Sequence, residues 1–187
     1  MTWDQPVDFD EVYDTHARQI YAYCLRRTTL VDAQDVTADV FTVVWRRWAD
    51  RPADDEIVPW IYGIARNVLA NRNRSVRRRA RLASKLTGLR SSGDSDYVAS
   101  DPESSVVLRS EHEEVLKALS KLSTTDQETL RLVGWEELTR DQVALMFGVT
   151  RAAIDQRISR AYRRLGDLLR ADLSSTITAP ATATEEP

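Results

Sequence analysis

Residues 139–165 read TRDQVALMFGVTRAAIDQRISRAYRRL. Thr139 followed three residues later by Gln142 offers a capping box, in which hydroxyl and amide each satisfy a backbone N–H at a helix start. The short helix that opens there turns Val143, Ala144 and Phe147 inward, and Gly148 permits a sharp turn. Thr150 then caps a second helix, with Ile154, Ile158, Ala161, Leu165 and Leu168 three and four residues apart on one face. Small Ala144 lets the two helices approach, glycine allows the turn, and branched Ile154 locks the second helix. This is the spacing of a helix-turn-helix.

In that motif the early residues of the second helix reach base edges in the major groove, where Arg pairs with guanine and Gln with adenine. Arg151, Asp155, Gln156 and Arg160 are the candidate base readers. Arg157, Arg163 and Arg164 are candidates for phosphate contact, or else simply solvate a long helix. A helical hairpin with a solvated polar face is the plainer alternative for the whole segment.

Working outward, apolar residues recur three and four apart along most of the chain and strand signals are scarce, so the fold class is all-α. Phe9 to Arg27 reads as a first helix with Val12, Tyr13, His16, Ile20, Tyr23, Cys24 and Arg27 near one stripe. Asp32 to Trp48 is a second, with Val36, Val40, Val43 and Val44 inward and an acidic edge outward. Two prolines and four acids between Asp50 and Pro59 stop that helix and make an exposed loop. A long helix resumes from Trp60 to about Lys85, apolar at Ile61, Ile64, Ala65, Val68 and Leu69. Val106 to Leu122 carries Val115, Leu116, Leu119 and Leu122 at packing positions, and Thr124 with Gln127 offers another capping box.

Two small helical domains follow from this, residues 1–86 and 106–173. A flexible, acidic, Gly- and Ser-rich linker at 87–105 joins them, and a tail at 174–187 is too poor in apolar residues to pack. The net charge of −3 hides a sharp separation of sign. Acids dominate up to Pro59, whereas from Trp60 to Arg90 there is none, and Arg66, Arg72, Arg74, Arg77, Arg78, Arg79, Arg81, Lys85 and Arg90 are all basic. Such a block can neutralise phosphates and release counterions, while an ordinary solvated helix face mixes signs.

The single cysteine forms no internal disulfide, and the first residues lack a signal peptide, so a cytoplasmic location is expected. No apolar run is long enough for membrane insertion. The two histidines, His16 and His112, have no metal-ligand neighbours and no glycine-rich phosphate loop is present, so neither metal, cofactor nor catalytic group is expected. Cys24 reads as core, not nucleophile.

Taken together, the pieces resemble the extracytoplasmic-function sigma factors of the sigma-70 family, in order and over nearly the whole chain. DAQDVTADVFTVVWRRW (32–48) is similar to the family's acidic helix that binds the polymerase clamp, and PWIYGIARNVLANRNRSVRRR (59–79) to the segment that engages the minus-ten element. Residues 122–165 are similar, without a gap, to its minus-thirty-five-binding region. The resemblance implies a subunit that directs core RNA polymerase to promoters and assists their opening, with the beta-prime clamp and beta flap of the core, promoter DNA and an anti-sigma factor as partners.

On that likeness the polymerase-binding residues are Asp32, Asp35, Val36, Asp39 and Arg46. The minus-ten readers are Arg66, Asn67, Asn71, Arg74, Arg77 and Arg78, beside the loop from Trp48 to Val58. The minus-thirty-five readers are Arg151, Asp155, Gln156, Arg157, Arg160 and Arg163. The acidic linker would thread towards the polymerase active-site channel, although a plain tether reads equally well. Trp60 is read as core, not as a stacking platform.

The chain departs from the family pattern in three places. Asp155 stands where Lys is common, Ala38 where Gln is common, and Glu137 where Gly is common, which unsettles the turn before residue 139. A stand-alone helix-turn-helix regulator accounts equally well for residues 111–170, but not for the acidic helix followed by the basic one.

Overall fold

A computed structural model describes residues 8–87 and 109–177, and among these every regular element is helical. Helix α1 spans Phe9–Leu25, α2 Leu30–Arg46 and α3 Ile57–Thr87, with short 3-10 turns at Trp48–Asp50 and Asp54–Glu56. The second half contributes α4 Arg109–Ser120, α5 Thr124–Gly134, α6 Arg140–Phe147 and α7 Arg151–Ile177. The expected linker lies outside the described residues apart from Thr87, which ends α3.

Local chemistry sets the helix starts. The Asp8 carboxylate accepts from Phe9 N–H at 2.7 Å, and Asp10 and Glu11 follow in the first turn, where negative charge meets the helix dipole. Thr29 caps α2 through Asp32 N–H at 3.2 Å, so this helix begins ahead of Asp32. Helix α3 likewise begins at Ile57 instead of Trp60. Pro59 does not stop the chain there, because a first-turn proline has no intrahelical N–H bond to lose.

Ser123, not Thr124, caps α5. Gln127, expected in a capping box, is instead buried and donates through Nε2 to the Ser120 and Leu122 carbonyls, which fastens the α4–α5 turn. Helix α7 continues four residues into the expected tail, since neither Pro nor Gly occurs between Gly166 and Pro180.

The helix-turn-helix forms as its sequence specifies. Thr139 and Gln142 complete their reciprocal capping box. Gly148 sits at φ +64°, its N–H reaching Leu145 O at 3.1 Å while Val149 N–H reaches Ala144 O at 3.0 Å, the two bonds of a Schellman stop. Thr150 accepts from Ala153 N–H to open α7.

Glu137, in the turn before α6, is the described non-glycine residue with positive φ, at +55°. A left-handed conformation costs a side-chain-bearing residue about 1–2 kcal/mol, part of which a glycine returns through greater freedom when unfolded. Glu137→Gly is therefore expected to raise stability by up to about 1 kcal/mol, checked as a higher urea midpoint at unchanged m-value.

Helices α1, α2 and α3 pack around Ile20, Tyr23, Cys24, Val36, Val40, Val44, Ile61 and Ala65, all essentially inaccessible. Helices α4 to α7 pack around Leu119, Leu122, Leu132, Val143, Ala144, Ile154, Ile158 and Ala161. Val115 and Leu116, expected to face inward with Leu119, are exposed instead.

The two groups of helices join, with α3 lying against α6. A polar network stitches the seam. Tyr23 Oη donates to Glu128 Oε1 at 2.8 Å, and Arg27 Nε donates to Glu128 Oε2 at 3.1 Å. Arg27 Nη1 donates to Glu136 Oε1 at 3.0 Å, and Arg26 pairs with the same carboxylate. The side chains of Arg27, Glu128 and Glu136 are only 5%, 11% and 1% exposed, so this is a largely buried cluster with Arg26 at its rim.

Cys24 lies within this first core, and burial pushes its thiol up to about 11 from 9.0. Below pH 9 the thiol is neutral in both folded and unfolded chains and contributes no pH dependence. Between pH 9 and 11 only the unfolded thiol ionises, so stability should fall by roughly 1.4 kcal/mol per pH unit from this group. Urea unfolding of wild type and Cys24→Ala across that window would measure the difference.

Candidate nucleic-acid interface

On α2, Asp35, Asp39, Ala38 and Arg46 are exposed. Asp32 is partly covered and forms an ion pair with Arg72 of α3, tying the acidic helix to the basic one. Val36, grouped with these residues on the sequence, is fully buried. It is a core residue that sets the pitch of the acidic face, not a surface that a partner can touch. Beside this face lies an aromatic group the sequence reading did not single out. Trp45 is 62% exposed, with its ring edge-on to Phe9 at 4.9 Å, and Phe9 also meets Trp48 at 5.5 Å. An exposed tryptophan held by other rings offers apolar area without the entropy cost of ordering it.

Helix α3 carries the acid-free block. Asn67, Asn71, Arg74 and Arg78 are exposed, and the Asn71 amide oxygen accepts from Arg74 Nη2 at 2.6 Å. Arg66 and Arg77 are partly covered. The Arg66 guanidinium lies 4.9 Å from the ring centroid of Phe147 in α6, and Arg157 of α7 lies over the same ring at 5.4 Å. Phe147 thus bridges the two halves through cation–π contacts. Arg157 Nη1 is buried and has no hydrogen-bond partner.

Two clefts flank this contact. One, of about 270 Å³, is bounded by Pro52, Glu56, Trp60, Gly63 and Asn67 on one side and by Leu145 and Met146 of α6 on the other. Trp60 packs partly buried against the core with the Arg47 guanidinium 5.8 Å from its ring, and Tyr62 is buried, in agreement with the core reading of Trp60. The other cleft, of about 260 Å³, is lined by Arg66, Asn73, Arg74 and Arg77 facing Thr124, Thr125 and Glu128.

At the start of α7, Arg151, Gln156, Arg160 and Arg163 are exposed. Arg151 Nη1 donates to Asp141 Oδ2 at 2.5 Å, and its Nε lies 3.4 Å from Asp155 Oδ2. The hydrogen bond to Asp141, with Asp155 beside it, holds the Arg151 pKa above its ordinary value. Arg160 Nε donates to the Gln156 carbonyl at 3.3 Å.

Comparison with known proteins matches residues 12–81 to the family described as Sigma-70 region 2, and residues 112–165 to Sigma-70, region 4. The chain is 31% identical over 147 residues to the RNA polymerase sigma factor CnrH of Cupriavidus metallidurans, covering 75% of each protein. The chain belongs to the sigma-70 family. It is an extracytoplasmic-function sigma factor, acting in transcription initiation.

The RNA polymerase sigma factor NccH of Alcaligenes xylosoxydans xylosoxydans is 25% identical, over 74% of this chain and 73% of that protein. In fold, this sigma factor is similar to the sigma factor RpoE in its complex with the anti-sigma factor NepR from Bartonella quintana. The TM-score is 0.62 at 23% identity, covering 88% of this chain and 98% of that one. It is also similar to CnrH in complex with the cytosolic domain of CnrY, at TM-score 0.56 and 23% identity, covering 88% of each chain. Among the described residues of this sigma factor, no helix is long and apolar enough to cross a membrane.

Proposed function

We propose that Asp35 and Asp39, with Asp32, Arg46 and the exposed Trp45, dock this sigma factor on the polymerase beta-prime clamp, while residues 106–173 meet the beta flap and the minus-thirty-five element. The observation that carries the reading is one of charge and access. Asp35 and Asp39 share a helix face at a spacing of four and stay open to solvent, as complementarity with a basic clamp helix requires.

The minus-ten element falls to Arg66, Asn67, Asn71, Arg74, Arg77 and Arg78. Capturing an unpaired base there costs a few kcal/mol and needs a pocket for its compensation. The cleft beside Trp60 and Asn67 has suitable size, but Leu145 and Met146 of α6 form its far wall. The arrangement with α6 on α3 is therefore a closed state, and promoter engagement separates residues 1–86 from residues 106–173 on the polymerase. The Gly- and Ser-rich composition of residues 87–105 suits a linker that permits that separation. An anti-sigma factor, such as accompanies the structurally similar sigma factors, holds the protein inactive in the cytoplasm. The protein contributes no catalytic group of its own.

Reconstituted transcription with purified protein, core polymerase and a pool of promoter fragments tests this reading. Initiation that depends on the protein and is lost in Asp35→Ala/Asp39→Ala and in Arg151→Ala/Gln156→Ala supports it. Tight duplex binding by the protein alone, with neither polymerase association nor initiation, overturns it in favour of a stand-alone regulator.

A further inference from the structure

The recognition helix of the proposed minus-thirty-five reader begins inside a four-residue ion cluster. Asp155 uses both carboxylate oxygens within the protein: Oδ1 accepts from Arg140 Nη1 at 2.8 Å, and Oδ2 faces Arg151 Nε at 3.4 Å. Arg151 Nη1 is held from the other side by Asp141 Oδ2 at 2.5 Å. Two carboxylates from different helices thus hold one guanidinium from two sides. Of the five N–H donors of an arginine, these contacts take two, and three stay available on Nη1 and Nη2. Reading guanine through O6 and N7 requires two donors in a fixed fork.

We infer that Asp141 and Asp155 are positioning residues that hold Arg151 ready to read a base, and that Asp155 itself does not touch the duplex. An exposed arginine loses much side-chain freedom when it docks on a base edge, and a guanidinium already held has less to lose. The same pairing accounts for an acid where phosphate would be expected to repel it. Two arginines and two aspartates sum to zero charge, so Asp155 presents no net repulsion to the backbone.

The inference rests on the proposed minus-thirty-five reading, and it predicts two effects of opposite direction. Removing Asp155 or Asp141 frees Arg151, which lowers discrimination at the base pair it reads. It also adds one unit of positive charge near phosphates, which maintains or raises affinity for arbitrary duplex and steepens the salt dependence. Loss of folding would lower both.

The experiment uses the full chain bound to core polymerase. Duplexes randomised over the minus-thirty-five position are selected and sequenced, and binding of an unselected duplex is titrated against salt. Arg151→Ala should flatten preference at one base pair. Asp155→Ala and Asp141→Ala should reduce preference at that same base pair by roughly two- to fivefold, with unselected binding undiminished, and Asp155→Asn, which keeps one acceptor, should fall between. Asp variants that leave the preference unchanged, or that alter a different base pair, overturn the positioning role. A wild-type complex that selects no sequence at all overturns the minus-thirty-five reading itself, and this inference with it.

Discussion

Glu136→Ala should cost about 3 kcal/mol or more of folding stability. Glu136 is the acceptor for both Arg26 and Arg27, and its side chain is 1% exposed. Without it, Arg27, itself 5% exposed, keeps Glu128 but loses its second carboxylate and has little access to water in compensation. Arg26 is about one-third exposed and loses less.

Two companions sharpen the expectation. Glu136→Gln keeps an acceptor but not the charge and should cost less than the alanine. Asp167→Ala, which breaks the fully solvated pair with Arg170, should stay within about 0.5 kcal/mol of wild type. Urea unfolding followed by tryptophan fluorescence measures all three. A lower midpoint with a reduced m-value would mean that the variant starts from an already opened state, which exposes less new surface on unfolding. A loss below about 1 kcal/mol for Glu136→Ala would show that the seam is a wet contact without energetic weight.

That seam was the part of the molecule least open to prediction from sequence. The helices were readable because their signals are local: a run such as Val36, Val40 and Val44 fixes a buried stripe, and Thr139, Gln142, Gly148 and Thr150 carry their caps within a few residues. The misplacements were equally local, where two adjacent residues could both cap, as with Ser123 and Thr124, or where a proline fell inside a first turn, as with Pro59.

The partners of Arg26, Arg27 and Tyr23, by contrast, lie more than a hundred residues away, and no periodicity connects them. Arg27 on an otherwise apolar stripe was the single available hint, since a charge in that position must find a counter-charge or leave the core. The candidate site divided in the same way. Exposure of Asp35, Asp39, Asn67, Arg151 and Gln156 followed from helical phase, whereas the Arg66–Phe147–Arg157 stack and the double pairing of Asp155 depend on how helices meet.

Locking that meeting should switch the protein off. Gly63 of α3 faces Met146 of α6, and a Cβ placed on Gly63 would lie 3.7 Å from Met146 Cγ, so the two positions are in side-chain contact and within reach of a disulfide after small adjustment. Gly63→Cys with Met146→Cys is therefore expected to form a bond between the two halves on oxidation. Cys24 should not compete for it, since its buried thiol is pushed up to about 11 and supplies almost no thiolate at neutral pH.

If the closed state is favoured by about 3 kcal/mol, the open state is populated on the order of 1%, and polymerase and promoter together must bind the open form at least 100-fold more tightly to reverse the balance. A covalent bond removes that option. The oxidised protein should still bind core polymerase, because the Asp35 and Asp39 face stays open in the closed arrangement. Promoter-dependent initiation should nevertheless fall more than tenfold, because Leu145, Met146 and Phe147 cannot leave Trp60, Arg66 and Asn67, and dithiothreitol should restore it. Full activity of the oxidised protein would mean that the two halves work without parting, and that the closed packing is itself the form that meets the promoter.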